Sequence, residues 1–199
     1  MARPRRTATD TATRILDEAE KLVQRRGFNG FSYADVAAKL KITTASLHYH
    51  FPGKAELGQA LIDRYVARFY GALAGIEARI PDAPARLESY ADLYASVLRQ
   101  QRLCLCGMLA AEYETLPKPM RQAIVRFFDQ NEAWLARVLE TGREQGALHF
   151  SGPAAEVARM IVYSLEGGML VARPQGGTDR FQSAAKQMIA SLAREATST

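Results

Sequence analysis

A chain of 199 residues, 48% apolar and 24% charged, has the balance of a globular protein, one large domain or a small one fused to a larger, and excludes wholesale disorder. No apolar run approaches the roughly 18 residues that a membrane span needs, and no apolar segment follows the basic start, so neither a membrane protein nor an exported one is expected. The net charge of +5 is uneven: residues 1–56 hold 10 Lys and Arg against 6 Asp and Glu, whereas residues 57–199 hold 16 against 15. The basic excess sits in the first quarter, as expected of a part that meets a polyanion, although a solvated basic surface would look the same. Two cysteines, Cys104 and Cys106, make no disulfide framework, which fits a reducing cytoplasm.

Apolar residues recur at helical spacing throughout, and the fold class expected is all-α. Ile15, Leu16, Ala19, Leu22 and Val23 line one face of a first helix over about 9–26, which Gly27 caps. Ser32 is the N-cap of a second helix, with Asp35 near its positive end, and Val36, Ala37 and Leu40 form its buried side. A third helix fits Thr44–His50 and stops at Pro52-Gly53. A long pattern then runs to about Arg79, where Pro81 and Pro84 break it. Further helices fit about 85–100, 103–115, 118–143, 153–172 and 178–195.

The stretch from Phe31 to Phe51 has the build of a helix-turn-helix: a helix with a small residue at its crossing point, Ala37, a short turn, then a second helix. Such a pair lays its second helix in the major groove while the first spans the backbone. Thr43, Thr44, Ser46, His48, Tyr49 and His50 give that second helix a polar, nearly uncharged surface suited to base edges and phosphates, and only Leu47 faces inward. Ser32 at the head of the first helix joins these candidate DNA contacts, and Lys54 is placed to meet a phosphate. His48 and His50, two residues apart, do not share a helix face and have no further ligands nearby, so no metal is expected.

Leu47-His48-Tyr49-His50-Phe51-Pro-Gly-Lys54, then Glu56-Leu57, resembles the end of the helix-turn-helix of the TetR family, and Gly27-Phe28-Asn29-Gly30-Phe31-Ser32 resembles the family's junction between its first two helices. The family often has Gly where this chain has Lys41, so Lys41 is expected at positive φ, and His48 stands where Tyr is usual. The resemblance implies a three-helix DNA-binding domain over 1–56, with a basic arm carrying Arg3, Arg5 and Arg6, followed by a larger helical domain over 57–199 for ligand binding and dimerisation. It implies a homodimeric, cytoplasmic repressor of a palindromic operator in double-stranded DNA. A small, mostly apolar or electrophilic effector would release it, with no membrane and no cofactor involved.

Candidate effector contacts in the second domain are Tyr94, Cys104, Met108, Tyr113, Trp134, Tyr163 and Glu166, with plain core packing as the alternative for each. Leu103-Cys104-Leu-Cys106-Gly-Met-Leu-Ala-Ala-Glu112 resembles a stretch of a subgroup that responds to reactive or small unsaturated compounds, so Cys104 is either a sensor or an inert buried thiol. The last two long helices combine small and large apolar residues and are expected to pair with their symmetry mates. An enzyme is the competing class, but no nucleophile triad, phosphate loop, metal cluster or acid pair stands out, and no catalytic residue is assigned. A DNA-binding protein without any ligand is the other alternative.

Overall fold

The computed structural model describes residues 8–193, and the arginines of the expected arm lie outside them. In chain order the helices are α1 (Ala8–Arg26), α2 (Tyr33–Leu40), α3 (Thr44–His50), α4 (Lys54–Arg79), α5 (Ala83–Arg99), α6 (Leu105–Ala110), α7 (Lys118–Glu144), α8 (Ala154–Ala172) and α9 (Thr178–Ala193), with a 3-10 turn at Tyr113–Thr115 and another at Arg173–Gln175. The expected helix over 103–115 is thus two short pieces. Among the described residues there is no strand, and no helix is long and apolar enough to cross a membrane.

Local chemistry sets the boundaries of the first helices. Gly27 takes φ +85, and its N–H closes α1 on the Val23 carbonyl. Ser32 and Asp35 form a reciprocal capping box at the start of α2, each side chain accepting from the other's backbone N–H. Such a cap is worth about 1 kcal/mol. Lys41 ends α2 at φ 55 and ψ 48, the left-handed conformation its position foretold, at a cost of about 1–2 kcal/mol for a side chain. Thr43 then caps α3, its hydroxyl accepting from the Ser46 N–H at 3.2 Å.

The described residues form two compact units. The first runs through Val66 and also takes in Leu105–Ile124, so it is wider than the 1–56 segment read from the sequence. Its core gathers Ile15, Ala19 and Val23 of α1, Val36 and Ala37 of α2, Leu47 of α3 and Leu57, Leu61 and Ile62 of α4. α6 packs on α1. Arg64 of α4 bonds Asp17 at 2.7 Å and the buried Glu20 at 2.8 Å, tying that helix to α1.

The second unit holds Ala67–Cys104 and the residues from Val125 onward. α5 packs against α8 and α9, and α8 against α9. Phe69, Leu73, Tyr90, Tyr94, Phe127, Trp134, Ile161, Leu165, Phe181 and Ile189 are buried there. α8 is apolar on more than its buried side: Met160, Tyr163, Leu170 and Val171, spaced three and four residues apart about Gly167, are about half to two-thirds exposed.

Candidate nucleic-acid interface and a buried polar cluster

α3 is a short helix held by one anchor. Leu47 is completely buried, while Thr43, Thr44, His48 and Tyr49 are exposed and Ser46 and His50 are half-buried. Tyr49 is 80% exposed and packs only edge-on against His50, 5.1 Å away, so its ring stands free for a partner. His48 Nδ1 lies 3.0 Å from the Pro52 carbonyl, which can only accept, so Nδ1 carries the proton and Nε2 of the neutral ring is an acceptor. The His48 ring also leans on Tyr33, at 4.8 Å.

Tyr33 braces the same turn from below, a role its sequence position did not disclose. Its hydroxyl lies 2.9 Å from the Phe51 carbonyl and 2.6 Å from the Gly53 carbonyl. Burial, with the nearby Glu56 charge, pushes this phenol up to about 12, so it remains a donor. Lys54 is also turned inward. Its ammonium donates to the Phe31 carbonyl at 2.5 Å and sits over the rings of Phe28 and Phe31, at 4.8 and 4.4 Å. Burial lowers its proton affinity, opposed by the charges of Glu112 and Asp35. The ammonium expected to meet a phosphate thus gives one of its three N–H groups to the α2 entry. Ser32 is exposed, but its hydroxyl is engaged with the Asp35 carboxylate at 2.6 Å.

Glu112 is a second unanticipated part of this unit. Its carboxylate accepts from the backbone N–H of Phe28 at 2.5 Å and of Asn29 at 3.2 Å, and Asn29 donates its side-chain amide to Thr115 at 2.7 Å. The segment after α6 thus clamps the turn between α1 and α2. Gly27 makes room for that carboxylate, since a Cβ there would lie 2.5 Å from Glu112 Oε1.

In the second unit polar groups converge inside the helices. Tyr90 and Tyr94 hydroxyls are 3.0 Å apart, Tyr90 donates to Asn131 Oδ1 at 2.9 Å, and the Asn131 amide reaches Tyr94 at 3.3 Å. Trp134 stacks on Tyr90 with centroids 5.7 Å apart. Burial is the main reason both phenols are pushed well above their ordinary value, with the charges of Glu166 and Cys104 adding to it. Glu166 takes a hydrogen bond from the Cys104 thiol, yet burial outweighs it and pushes the carboxyl up to about 7. Glu166 Oε1 and Trp134 Nε1 are shut off from solvent with no hydrogen-bond partner among the described residues.

Tyr94, Cys104, Trp134 and Glu166 are therefore brought into one neighbourhood with Tyr90 and Asn131, which were not singled out beforehand. Tyr163 is not part of it, being 64% exposed on the outer face of α8. Met108 and Tyr113 belong to the first unit, where Met108 is half-buried and Tyr113 lies under the Arg121 guanidinium at 5.6 Å. Cys104 and Cys106 are both buried free thiols. Among the described residues no group of three His, Cys, Asp or Glu side chains is placed to hold a metal.

Comparison with known proteins identifies both parts of the chain. Residues 15–61 match the family model described as bacterial regulatory proteins, tetR family, and residues 83–188 match the tetracyclin repressor-like C-terminal domain. A transcriptional regulator from Agrobacterium tumefaciens is 30% identical, with a TM-score of 0.90 over 94% of this chain and all of that one. A regulator from Legionella pneumophila is 28% identical, with a TM-score of 0.83 over 96% of this chain and all of the other. Among curated relatives, the HTH-type transcriptional repressor BepR of Brucella suis is 26% identical over 177 residues, 85% of this chain and 83% of BepR.

Proposed function

Because this chain belongs to the tetR family of bacterial regulatory proteins, we propose that it is a cytoplasmic transcriptional repressor that leaves its operator when a small molecule binds. The observation that carries the reading is α3: a polar helix pinned by Leu47 alone, with Thr44, His48 and the free Tyr49 ring turned outward. Thr43, Thr44, Ser46, His48, Tyr49 and His50 form the reading surface, and the Nε2 acceptor of His48 suits an exocyclic amino group of adenine or cytosine. Ser32 touches backbone at the head of α2, and Lys54 acts by holding that head in place. The DNA-binding segment is 1–56, with the rest serving ligand binding and dimerisation.

Two such heads reading one palindrome require a two-fold dimer. The exposed apolar stripe of α8 supports a pairing surface built from α8 and α9, and Gly167, with nothing within 4 Å of a Cβ added there, lets a neighbouring helix approach. The effector enters the helices over 85–170 and favours a state whose heads are wrongly spaced, so it weakens operator binding by its preference for that state. α4, whose residues are shared by both units, is the element we expect to tilt. Cys104 is 2% exposed and gives its hydrogen bond to Glu166, which supports reversible binding over covalent capture by an electrophile.

Selection of bound duplexes from a random pool tests the reading. The expected product is a palindrome bound with steep salt dependence, whose affinity falls at least about tenfold in Thr44→Ala and Tyr49→Ala proteins that melt normally. A pool that yields no common sequence would overturn it. Leu170→Glu should give monomers with weakened operator affinity, read by sedimentation and by titration of labelled operator.

A further inference from the structure

The inference rests on the reading above, that a small molecule binds the second unit and releases DNA, and it names the chemistry of that molecule. Glu166 stands on α8 within electrostatic reach of Tyr90 and Tyr94 on α5, and Cys104 follows that helix. The Cys104 thiol donates to its carboxylate, and Oε1 has no partner among the described residues. Among the described residues of the second unit, the other buried side-chain atom without a partner is Trp134 Nε1, a donor on the ring stacked against Tyr90. Tyr90 and Tyr94 also belong to a cluster of rings: Phe69 meets Tyr90, Tyr94 and Phe127 edge-on, with centroids 6.3, 6.2 and 5.2 Å away.

A solvent-shielded acidic oxygen without a donor, in the same neighbourhood as a cluster of aromatic rings, selects a particular ligand. A ring presents negative potential on its face, so aromatic walls favour a cation and disfavour an anion. An unmet carboxylate oxygen rewards an N–H donor, and most of all a charged one. An unmet indole N–H rewards an acceptor. An apolar body suits the aromatic residues of the cluster. We propose that the effector is a small protonated amine with an apolar, aromatic-sized body, its N–H bonded to Glu166 Oε1 and its body against the Tyr90–Trp134 stack.

Trp134 is the only tryptophan of the chain, so its fluorescence reports on the site directly. The test compares four probes with one body and different heads, each at up to millimolar concentration with the full-length dimer on its selected operator. The probes are 2-phenylethylamine, its trimethylammonium analogue, 2-phenylethanol and 3-phenylpropionate. The amine should alter Trp134 emission and release operator at about tenfold or more lower concentration than the alcohol, with the propionate weakest and the trimethylated form intermediate because it keeps the charge but lacks the N–H.

Because the carboxyl titrates at about 7, the amine should bind more tightly at pH 8 than at pH 6, while Tyr90, Tyr94 and the Cys104 thiol face it in both conditions. Glu166→Gln should erase both the head preference and this pH dependence while still binding operator. The wild-type series needs no variant, so a misfolded Glu166→Gln does not rescue the proposal. Release of operator by the alcohol, by the propionate or by N-ethylmaleimide, without preference for the amine, would overturn the amine while leaving the effector reading intact. A chain that binds operator but is released by no compound of a broad library would overturn both.

Discussion

Two glutamates, one in each compact unit, show opposite uses of a carboxylate in a helical protein. Glu112 meets two backbone N–H groups at the turn between α1 and α2, so its oxygens are partnered and its charge holds a loop. Glu166 takes a hydrogen bond from the Cys104 thiol and keeps one solvent-shielded oxygen without a partner among the described residues. The first arrangement stabilises the fold and leaves nothing for a ligand. The second costs stability, because a buried acceptor without a donor forfeits about 1–3 kcal/mol, and leaves something for a ligand to satisfy. The satisfaction of a polar group, more than its burial, separates a structural residue from a sensing one.

Four substitutions test that contrast. The largest loss is expected for Gly27→Ala, which would place a Cβ at φ +85 and 2.5 Å from Glu112 Oε1. About 3 kcal/mol should disappear from chemical denaturation of the first unit. Glu112→Ala removes the acceptor of the Phe28 and Asn29 N–H groups, the latter exposed, and should cost about 2 kcal/mol in chemical denaturation. An equal melting temperature for this variant and the wild type would show that solvent replaces the clamp without loss.

Glu166→Gln should act in the opposite direction. Burial pushes its carboxyl up to about 7 in the fold, above the ordinary 4.5, so between these pH values the folded state holds a proton that the unfolded chain has released. That stabilisation is fully present below about pH 4.5 and is lost as pH rises through 7, a decline of about 2–3 kcal/mol. The glutamine variant lacks this decline and should be the more stable protein at pH 8 by up to about 2 kcal/mol, with the gap closing towards pH 5. Thermal melts at the two pH values measure it, and a variant less stable than wild type at pH 8 would break the contrast. The smallest effect on stability belongs to Tyr49→Ala, within about 0.5 kcal/mol, because the ring is 80% exposed. Its loss should appear only as weaker operator binding.

What the sequence disclosed was what neighbouring residues decide. Pro52-Gly53 marks the end of α3 and Ser32 with Asp35 the start of α2, while the strain at Lys41 was legible only through the resemblance to a family that often has Gly there. The contacts that organise the sites were out of reach because they join distant positions. Glu112 meets Phe28 from 84 residues away, and Tyr90 meets Asn131 from 41. Periodicity marks a helix but cannot assign a face when the helix is apolar on both sides, so it does not disclose that α8 leaves Tyr163 exposed. Lys54 shows a related limit. A long side chain can bury its stem and donate inward, and its charge alone predicts only that it will find an acceptor.

The pairing of Gly27 with Glu112 carries a consequence for how such chains diverge. A side chain at 27 needs both a relaxed backbone and the space that the carboxylate fills, and a shortened side chain at 112 leaves two N–H groups in want of an acceptor. Neither position can drift alone without loss. Among descendants of this sequence, the two should therefore change in concert or stay fixed together, although 84 residues separate the acceptor from the turn it holds.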